Sequence, residues 1–234
     1  MSIGVLYEDE FLLAVDKPRD IHVHPTKMSR REISLQEVLE AERETTLYPA
    51  HRLDRPVGGV LLIAKSKDIA SQLGRVLRNR DGIDKRYLCV VRGWMDGSGI
   101  LDRPMRAAPG KPEKEALTRW TALARAEADW SDGRFPTSRY SLVECTLETG
   151  RYHQIRRHLA VASHPILGDI SHGDNPRNRI WKERTGLEGL MLRAHRLGIL
   201  HPVSGERLSI TAPADPRFLT AARLLGWEEH LVVD

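Results

Sequence analysis

Apolar runs of strand length recur along this chain, and they set the strongest limit on its fold. Runs at residues 11–15, 59–65, 86–92 and 139–147 follow one another with few helical segments between them. A regular strand–helix–strand order would predict a parallel sheet, but the sequence shows no such order. We therefore expect an α+β fold with a mixed, mainly antiparallel central sheet and flanking helices. Because no internal repeat or long linker is visible, a single domain over residues 1–234 is the simplest interpretation.

Four segments carry helical signals. Residues 34–37, Ser-Leu-Gln-Glu, form a capping-box pattern ahead of an apolar stripe. Residues 68–80 and 216–226 each have apolar residues at helical spacing on one face, and residues 152–163 predict a short helix after a turn. Residues 95–115, by contrast, are rich in glycine, proline and charge, and they predict a loop with at most one short strand.

Basic residues are concentrated in two places, although the net charge of the chain is only +4. Residues 149–164 contain three arginines and three histidines without an acidic residue, and residues 175–184 contain four basic residues and one glutamate. Such stripes suit contacts to the phosphates of nucleic acid. A solvated basic surface explains them equally well, so charge alone does not decide between the two.

The apolar runs and the two cysteines indicate the cellular compartment in which we expect the protein. The longest apolar runs are far too short to span a bilayer, and the N-terminus shows no basic region followed by an apolar segment. Cys89 and Cys145 are isolated in sequence, which is typical of small core residues in a reducing compartment. We therefore expect a cytoplasmic protein.

The ten histidines raise the question of a metal site. His22 and His24 would share one face of a strand, and His153 and His158 lie five residues apart. Neither pair has Asp, Glu or Cys partners at the spacings of zinc or iron sites. The sequence also lacks a phosphate-binding loop, a Gly-x-Gly-x-x-Gly and a Gly-x-Ser-x-Gly. We therefore expect no metal and no cofactor.

The stretch at residues 51–59, His-Arg-Leu-Asp-Arg-Pro-Val-Gly-Gly, leads into a buried strand, where loops present reactive groups from a rigid base. Asp54 has Arg52 and Arg55 close by, and neighbouring cations keep a carboxylate ionised, as a nucleophile must be. The two glycines allow a sharp turn and the approach of a ligand to the backbone. Taken alone, this pattern is more typical of a structural ion pair at a strand entry.

The stretch at residues 149–158, Thr-Gly-Arg-Tyr-His-Gln-Ile-Arg-Arg-His, combines a turn with the start of a helix. Backbone N–H groups, guanidinium groups and an amide donor are concentrated there, which suits an oxyanion such as a phosphate. The segment also offers a cationic partner for a catalytic carboxylate. A basic surface helix is the alternative, and this segment alone does not exclude it.

The combination of motifs is more specific than any one of them. In order, the motifs are residues 51–54 (His-Arg-Leu-Asp), 59–65 (Gly-Val-Leu-Leu-Ile-Ala-Lys), 85–87 (Lys-Arg-Tyr), 149–156 and 164–169 (His-Pro-Ile-Leu-Gly-Asp). This series resembles the RluA-type pseudouridine synthases over nearly the whole chain. The resemblance implies a pseudouridine synthase catalytic fold with an RNA-binding cleft, one catalytic domain without an N-terminal S4-like module, and no cofactor.

The resemblance also implies roles for individual residues. Asp54 matches the catalytic aspartate, Tyr87 the tyrosine that stacks on the target base, and Arg156 the basic residue paired with the aspartate. Ile155 matches the aliphatic residue that lines the pocket, and Arg52 matches the arginine that fills the gap left by the flipped base. Further RNA contacts are expected from the same two stretches, at Arg55, Arg151, His153, Gln154 and Arg157.

Finer matches narrow the expected substrate. Arg55-Pro56, the Asp-x-x-His-Gly-Asp pattern at residues 169–174 and the segment at residues 190–195 resemble the TruC group, whose members modify uridine 65 of tRNA. We therefore expect an RNA pseudouridine synthase, an isomerase, that acts on this tRNA position as a monomer. Val57-Gly58 departs from the wider family, which usually has a hydroxyl residue at this place in the loop.

Three alternatives remain open from the sequence. The same chemistry could act on a uridine of ribosomal RNA. A protein that kept the fold and lost catalysis would be an RNA-binding or chaperone protein. A metal-dependent hydrolase that uses the histidines is the third.

Overall fold

The chain forms two compact units in a computed structural model. The residues that this structure describes are 3–25, 32–79, 83–107 and 110–231. Unit 1 contains residues 1–85 and 194–213, and unit 2 contains residues 86–193 and 214–234. Unit 1 is therefore assembled from two stretches that most of unit 2 separates in the sequence.

Strands outnumber helices among the described residues. The strands are β1 (Gly4–Glu8), β2 (Leu12–Lys17), β3 (Tyr48–Pro49), β4 (Gly58–Ala64), β5 (Asp84–Arg92), β6 (Ser98–Asp102), β7 (Met105–Arg106), β8 (Glu113–Lys114), β9 (Leu117–Ala128), β10 (Ser138–Leu147), β11 (Leu192–Leu200) and β12 (Arg207–Thr211). The helices are α1 (Leu35–Arg43), α2 (Lys67–Asn79), α3 (Gln154–Val161), α4 (Asn175–Thr185) and α5 (Pro216–Leu225), and a 3-10 turn spans Glu228–His230.

The sheet of unit 1 is built around β4. β2 pairs antiparallel with β1 and with β4, β3 pairs antiparallel with β4, and β11 pairs antiparallel with β12. Every residue of β4 is buried, as expected for a strand covered on both faces. Helix α2 contributes Ile69 and Leu73 to the core of this unit. The strands, together with Ala212 just after β12, complete this core with Leu12, Ala14, Val60, Leu62, Ala64, Leu197, Ile199 and Ile210.

Gly59 is required in β4 by the closeness of a neighbouring strand. Its φ of +114° is one that side chains rarely adopt. A Cβ atom at this position would overlap the backbone carbonyl of Ala194 in β11. The sequence suggested that this glycine admits a ligand near the backbone, whereas the structure shows that it admits another strand.

Unit 2 is built around β10. This strand pairs antiparallel with β5 and with β9, β9 pairs with β6, and β7 and β8 form a separate two-stranded pair. Helix α4 buries Trp181, whose ring packs edge-on against Tyr140 of β10 with ring centroids 5.0 Å apart. The chain leaves β10 at Leu147 and enters α3 at Gln154, so the basic stretch follows the end of a long strand.

Most of the expected elements are confirmed. Ser34 caps α1, because its hydroxyl accepts from Glu37 N–H at 3.3 Å while the Glu37 carboxylate accepts from Ser34 N–H at 2.8 Å. Helix α2 covers the predicted segment as far as Asn79, and residue 80 lies outside the described residues. Helix α5 ends where Gly226 adopts a φ of +70°. The antiparallel pairings agree with the expected α+β class.

Two expectations about local structure were wrong or incomplete. Residues 95–115 do not form a loop with at most one strand, because β6, β7 and β8 lie there and β6 finds its partner in β9. Residues 108–109 of this segment are outside the described range. Helix α4 was not predicted, although its ends carry ordinary signals: Asp174 caps it, Pro176 lies in its first turn and Gly186 ends it. Within the described ranges, no helix is long and apolar enough to cross a membrane.

Candidate active site

Asp54 lies in a tight turn of unit 1 that leads into β4. Its carbonyl oxygen accepts a hydrogen bond from Val57 N–H at 3.0 Å. Leu53 and Val57 are buried on either side of the turn, whereas Asp54 itself is half-buried. Apolar packing therefore fixes the backbone of the turn, and the carboxylate is presented from a rigid base.

Lys17, at the end of β2, binds the backbone of this turn through its ammonium group. Its ammonium group donates to the carbonyl oxygens of Val57 at 2.8 Å, Pro18 at 3.0 Å and Arg55 at 3.1 Å. The side chain is completely buried. An ammonium has three donors, and here all three are directed at carbonyls of the turn or of the strand end. No motif in the sequence marks Lys17 as a site residue.

The charge of Lys17 interacts with Asp54. Burial lowers the pKa of Lys17 to about 8, and the carboxylates of Asp20 and Asp54 act in the opposite direction. From the sequence, Arg52 and Arg55 are the cations expected beside Asp54. The structure adds Lys17 as a buried cation close enough to interact with this carboxylate.

The two arginines of the stretch are placed differently from Lys17. Arg55 donates to the carbonyl oxygen of Asp20 at 3.2 Å and pairs with Glu32 at 3.4 Å. Both side chains of this ion pair are about half exposed, so the pair adds little stability. Arg52 is exposed. Their predicted contacts with RNA remain predictions.

His51 ties the start of the motif to the sheet. Its Nε2 accepts a hydrogen bond from Leu62 N–H in β4 at 3.1 Å. Burial, together with the charge of Lys85, lowers the pKa of His51 to about 3. The ring is therefore neutral at physiological pH, as the accepted hydrogen bond requires. Lys85, from the Lys-Arg-Tyr motif, is close enough to act electrostatically on a residue of the His-Arg-Leu-Asp motif.

Gln154, at the start of α3 in unit 2, joins the basic stretch to the sheet. Its carbonyl oxygen accepts from Thr149 Oγ1 at 2.7 Å and from Arg151 N–H at 2.9 Å. Its amide nitrogen donates to Leu117 O and to Thr118 Oγ1, both at 3.0 Å. The side chain is only 3% exposed. An RNA contact was predicted for Gln154 and stays a prediction, while the structure shows a residue that fixes the turn.

Arg151 and Arg157 fasten the β7–β8 segment to the same stretch. Arg151 Nε donates to Glu115 O at 2.8 Å, and Arg157 donates to Arg106 O at 3.0 Å. Each arginine therefore has a structural contact in unit 2 besides the RNA contact that the sequence predicts.

Arg156 forms a buried, bidentate ion pair with Asp169. Its Nε donates to Oδ2 at 2.7 Å and one Nη donates to Oδ1 at 2.8 Å. Both side chains are almost completely buried. Burial by itself raises the pKa of a carboxyl group, but Arg156 and the N–H groups of His172 and Ser171 hold the pKa of Asp169 below its ordinary value. Asp169 therefore fixes the plane of the guanidinium.

The loop that carries Asp169 also supports an aromatic surface. His172 N–H donates to Asp169, and the His172 ring lies 2.9 Å from Nδ1 of His153. The His153 ring stacks on Tyr152, with centroids 3.7 Å apart and planes inclined by 20°. Tyr152 is 60% exposed. His153 and His172 therefore support the exposed ring of Tyr152, just ahead of α3.

The predicted site residues are divided between the units. Asp54 belongs to unit 1, whereas Tyr87, Ile155 and Arg156 belong to unit 2. Tyr87 is half-buried in β5 opposite Cys145 of β10, and Ile155 is buried in the first turn of α3. The predicted pairing of Asp54 with Arg156 stays a prediction. Lys17 supports the Asp54 turn and Asp169 fixes Arg156; the sequence assigned neither of them a role, although Asp169 and His172 lie in motifs that carry the resemblance.

The described part of the chain contains no group of three or more His, Cys, Asp and Glu side chains arranged to hold a metal ion. His24 Nδ1 lies 3.1 Å from Gln36 Oε1, and neither His22 nor His24 lies in a strand. The strand face that these two histidines would have shared in a metal site is therefore not present.

Comparison with known proteins identifies the family. The family model described as RNA pseudouridylate synthase matches residues 11–161, a range that includes the Asp54 turn, Tyr87 and α3. A protein of Pasteurella multocida named tRNA pseudouridine synthase C is 37% identical over 97% of this chain and 98% of its own length.

Two solved structures of pseudouridylate synthase domains have a similar fold. The structure titled Human RNA Pseudouridylate Synthase Domain Containing 1 superposes with a TM-score of 0.74, covers 97% of this chain and 87% of its own, and is 23% identical, so it supports the fold alone. Human RNA Pseudouridylate Synthase Domain Containing 4 has a TM-score of 0.71 at 25% identity, with 95% and 93% coverage. The family match over most of the chain and the full-length relative lead to one conclusion: this chain belongs to the RNA pseudouridylate synthase family.

Proposed function

We propose that this chain isomerises a specific uridine of tRNA to pseudouridine, most specifically uridine 65, with Asp54 as the nucleophile. The observation that carries the choice of tRNA is the full-length similarity to a relative named tRNA pseudouridine synthase C. We assign the reaction to residues 1–234 acting as one catalytic domain. The charge of the buried Lys17, which interacts with Asp54, supports the assignment of this aspartate as the nucleophile.

The reaction needs no net addition or removal of atoms. The bond from uracil N1 to the sugar C1′ breaks, the base rotates, and a bond from C5 to C1′ forms. The proton on C5 is lost and N1 gains one. Asp54 attacks either C1′ or C6, and either route requires an ionised carboxylate at a fixed position. The buried Lys17, whose charge interacts with Asp54, and the packed turn support this assignment.

The other residues prepare the RNA in this proposal. A uridine must leave its stack before its glycosidic bond is accessible, at a cost of a few kcal/mol. Tyr87 stacks on the extruded base and Arg52 fills the gap that it leaves, which offsets part of that cost. Arg156 is the cationic partner of Asp54, and the bidentate Asp169 contact supports this role because it holds the guanidinium in one plane.

The proposal is tested with RNA that carries tritium on C5 of uridine. Incubation of wild-type protein with tRNA is expected to release tritium into water, because C5 loses its hydrogen when it bonds to the sugar. Mapping of the product is expected to place pseudouridine at position 65. Conversion of a ribosomal RNA transcript with an unmodified tRNA would overturn the substrate assignment. RNA binding without tritium release from any substrate would indicate a catalytically silent RNA-binding protein.

Tyr152 offers a further contact for an RNA base. Stacking of a base on an exposed aromatic ring contributes about 1–3 kcal/mol. We therefore expect Tyr152→Ala to weaken tRNA binding by about tenfold, because the exposed ring supported by His153 is lost. Tyr152→Phe is the matched control and is expected to bind like wild type, since it keeps the ring. Equal losses from both variants, measured by filter binding, would contradict the stacking role.

We also propose that the protein acts in the cytoplasm as a monomer without a metal ion. Chelation of divalent metals after RNA folding is expected to leave the initial rate within about twofold of its original value. Loss of activity that is restored by a single added metal would support a metal-dependent enzyme instead. Sedimentation of the active protein is expected to give the mass of one chain, and activity that appears only with the dimer would contradict the monomer.

A further inference from the structure

The loop at residues 169–173 contacts the first turn of α3 at two places. The side chain of Asp169 forms the bidentate pair with Arg156. Three residues later in the loop, Nε2 of His172 lies 2.9 Å from Nδ1 of His153, which is three residues before Arg156. Residues three apart lie on the same face of a helical turn. The loop therefore contacts this turn both at its start and at Arg156.

His153 has a backbone conformation that its surroundings must support. Its φ of +53° and ψ of +32° lie in the left-handed region, which residues other than glycine rarely adopt. Its carbonyl oxygen accepts from Arg157 N–H at 2.9 Å, so the hydrogen bonding of α3 begins at this residue. The ring of His153 contacts His172 on one side and stacks on Tyr152 on the other. A change of backbone conformation at His153 would therefore shift the whole first turn, including Arg156.

The loop presents His172 from a rigid backbone. Oδ1 of Asp169 accepts from His172 N–H at 3.0 Å, which closes a local turn. Asn178 of α4 donates to the carbonyl oxygen of Asp169 at 3.0 Å and accepts from Gly168 N–H at 2.9 Å. A Cβ atom at Gly173 would lie 2.1 Å from the carbonyl oxygen of Asp169, so glycine is required there. The His172 ring can therefore fix the position of His153, because its own backbone is fixed.

We propose that His172 is a positioning residue for the reaction, whose ring fixes the backbone at His153 and thereby the position of Arg156. Asp169 sets the plane of the guanidinium, and His172 sets the turn from which the guanidinium extends. This inference rests on the proposed function, in which Arg156 is the cationic partner of Asp54. A displacement of about 1 Å near a reacting group can lower a rate about a hundredfold, so the accuracy of this turn matters for the rate.

The test uses three single variants of the two histidines. His172→Leu removes the ring nitrogen that faces His153. His172→Gln keeps a hydrogen-bonding group near the place of Nε2, because the glutamine amide offers both a donor and an acceptor. His153→Gly removes the other partner of the same hydrogen bond and keeps the positive φ, which glycine adopts readily. His230→Leu, at an exposed position of unit 2, is the control.

The deciding quantity is kcat for tritium release from saturating tRNA, at a temperature at which circular dichroism shows each variant to be folded. We expect His172→Leu to lower kcat about thirtyfold, because the turn that carries Arg156 is no longer fixed. The Kd for tRNA should stay within about threefold, since Tyr152 keeps its ring and its stacking partner. His172→Gln should restore kcat to within about threefold of wild type. The control should match wild type in both quantities.

A double variant tests whether the two histidines act through one hydrogen bond. His153→Gly alone should lower kcat about as much as His172→Leu does. The kcat of His153→Gly/His172→Leu should then lie within about threefold of that of His172→Leu, because the hydrogen bond is already lost in the single variant. Losses that multiply in the double variant would show that the rings act independently, and the proposal would be wrong. If His172→Leu does not fold, the fall in kcat for His153→Gly and its absence for His172→Gln decide the question.

The remaining outcomes separate a positioning role from a structural one. A lower melting temperature of His172→Leu with an unchanged kcat would mean that the contact stabilises the fold only, which overturns the positioning role. A loss of kcat that His172→Gln does not restore would overturn it as well. If the wild type releases no tritium from tRNA, the proposed function fails and the role of His172 in the reaction fails with it. The wild-type rate therefore distinguishes the two failures.

Discussion

Replacing Asp54 with asparagine is expected to reduce tritium release from tRNA on the order of 10⁴-fold, with the fold and RNA affinity retained. Asparagine has nearly the same size and leaves the Val57 hydrogen bond to the backbone in place. It lacks the ionised oxygen that attacks the nucleoside. The loss should therefore appear in kcat and should not be restored by more RNA.

Asp20→Asn is the matched control for this variant. Asp20 and Asp54 both raise the pKa of Lys17, so each change removes one carboxylate charge from beside the same buried ammonium. Asp20 is exposed and has a φ of +63°, which asparagine adopts readily. We expect Asp20→Asn to keep its rate within about threefold of wild type. Equal rates for Asp54→Asn and wild type would remove Asp54 from the reaction.

Lys17→Met is expected to lower the free energy of unfolding by about 3 kcal/mol at pH 7, because it leaves three carbonyl groups without their buried donor. The turn that carries Asp54 is held by two of these carbonyls, so the folded variant should also lose about a hundredfold in rate. Urea denaturation measures the first effect and tritium release the second. Lys111→Met, at an exposed position, is the control and should change neither.

The stability difference between wild type and Lys17→Met should depend on pH. In the folded protein, burial lowers the pKa of Lys17 to about 8, whereas the ordinary value in the unfolded chain is 10.5. Between these values the unfolded state binds more protons, so wild-type stability rises with pH relative to the variant. From pH 8 to 9.5 the difference should grow by about 2 kcal/mol. A difference that stays constant would contradict the low pKa of Lys17.

Local signals were sufficient for much of the fold. The capping box of α1, the apolar run of β4 and the glycine that ends α5 are each decided by neighbouring residues. Elements that depend on distant partners were missed. β6 forms because β9 is available to pair with it, and α4 has a polar sequence that buries only Trp181 among its described residues. The residues at the two ends of α4 signal a helix, but its sequence has no apolar stripe that would predict one.

The same distinction applies to the candidate site. Asp54, Tyr87 and Arg156 were selected because five motifs occur together in order and resemble one family; the family match confirms that resemblance, and the roles of the three residues stay predictions. Lys17, which holds the Asp54 turn, lies outside these motifs, whereas Asp169, which holds Arg156, ends the fifth motif without a role that the sequence alone assigns to it. Lys17 is 37 residues from Asp54 in sequence, and Asp169 is 13 residues from Arg156. A lysine at a strand end is usually solvated, and only the fold shows that this one is buried.

The interrupted sequence of unit 1 has a consequence for synthesis of the protein on the ribosome. Its second stretch begins at Ala194, and 108 residues, 86 to 193, must be translated before that stretch emerges. At about 5–20 residues per second, this takes about 5–20 s. During that time β4 lacks the strand whose carbonyl fits against Gly59, and an apolar strand edge is exposed. Nascent chains stalled at residue 193 should therefore bind chaperones and be cleaved by proteases more readily than chains that extend past residue 213.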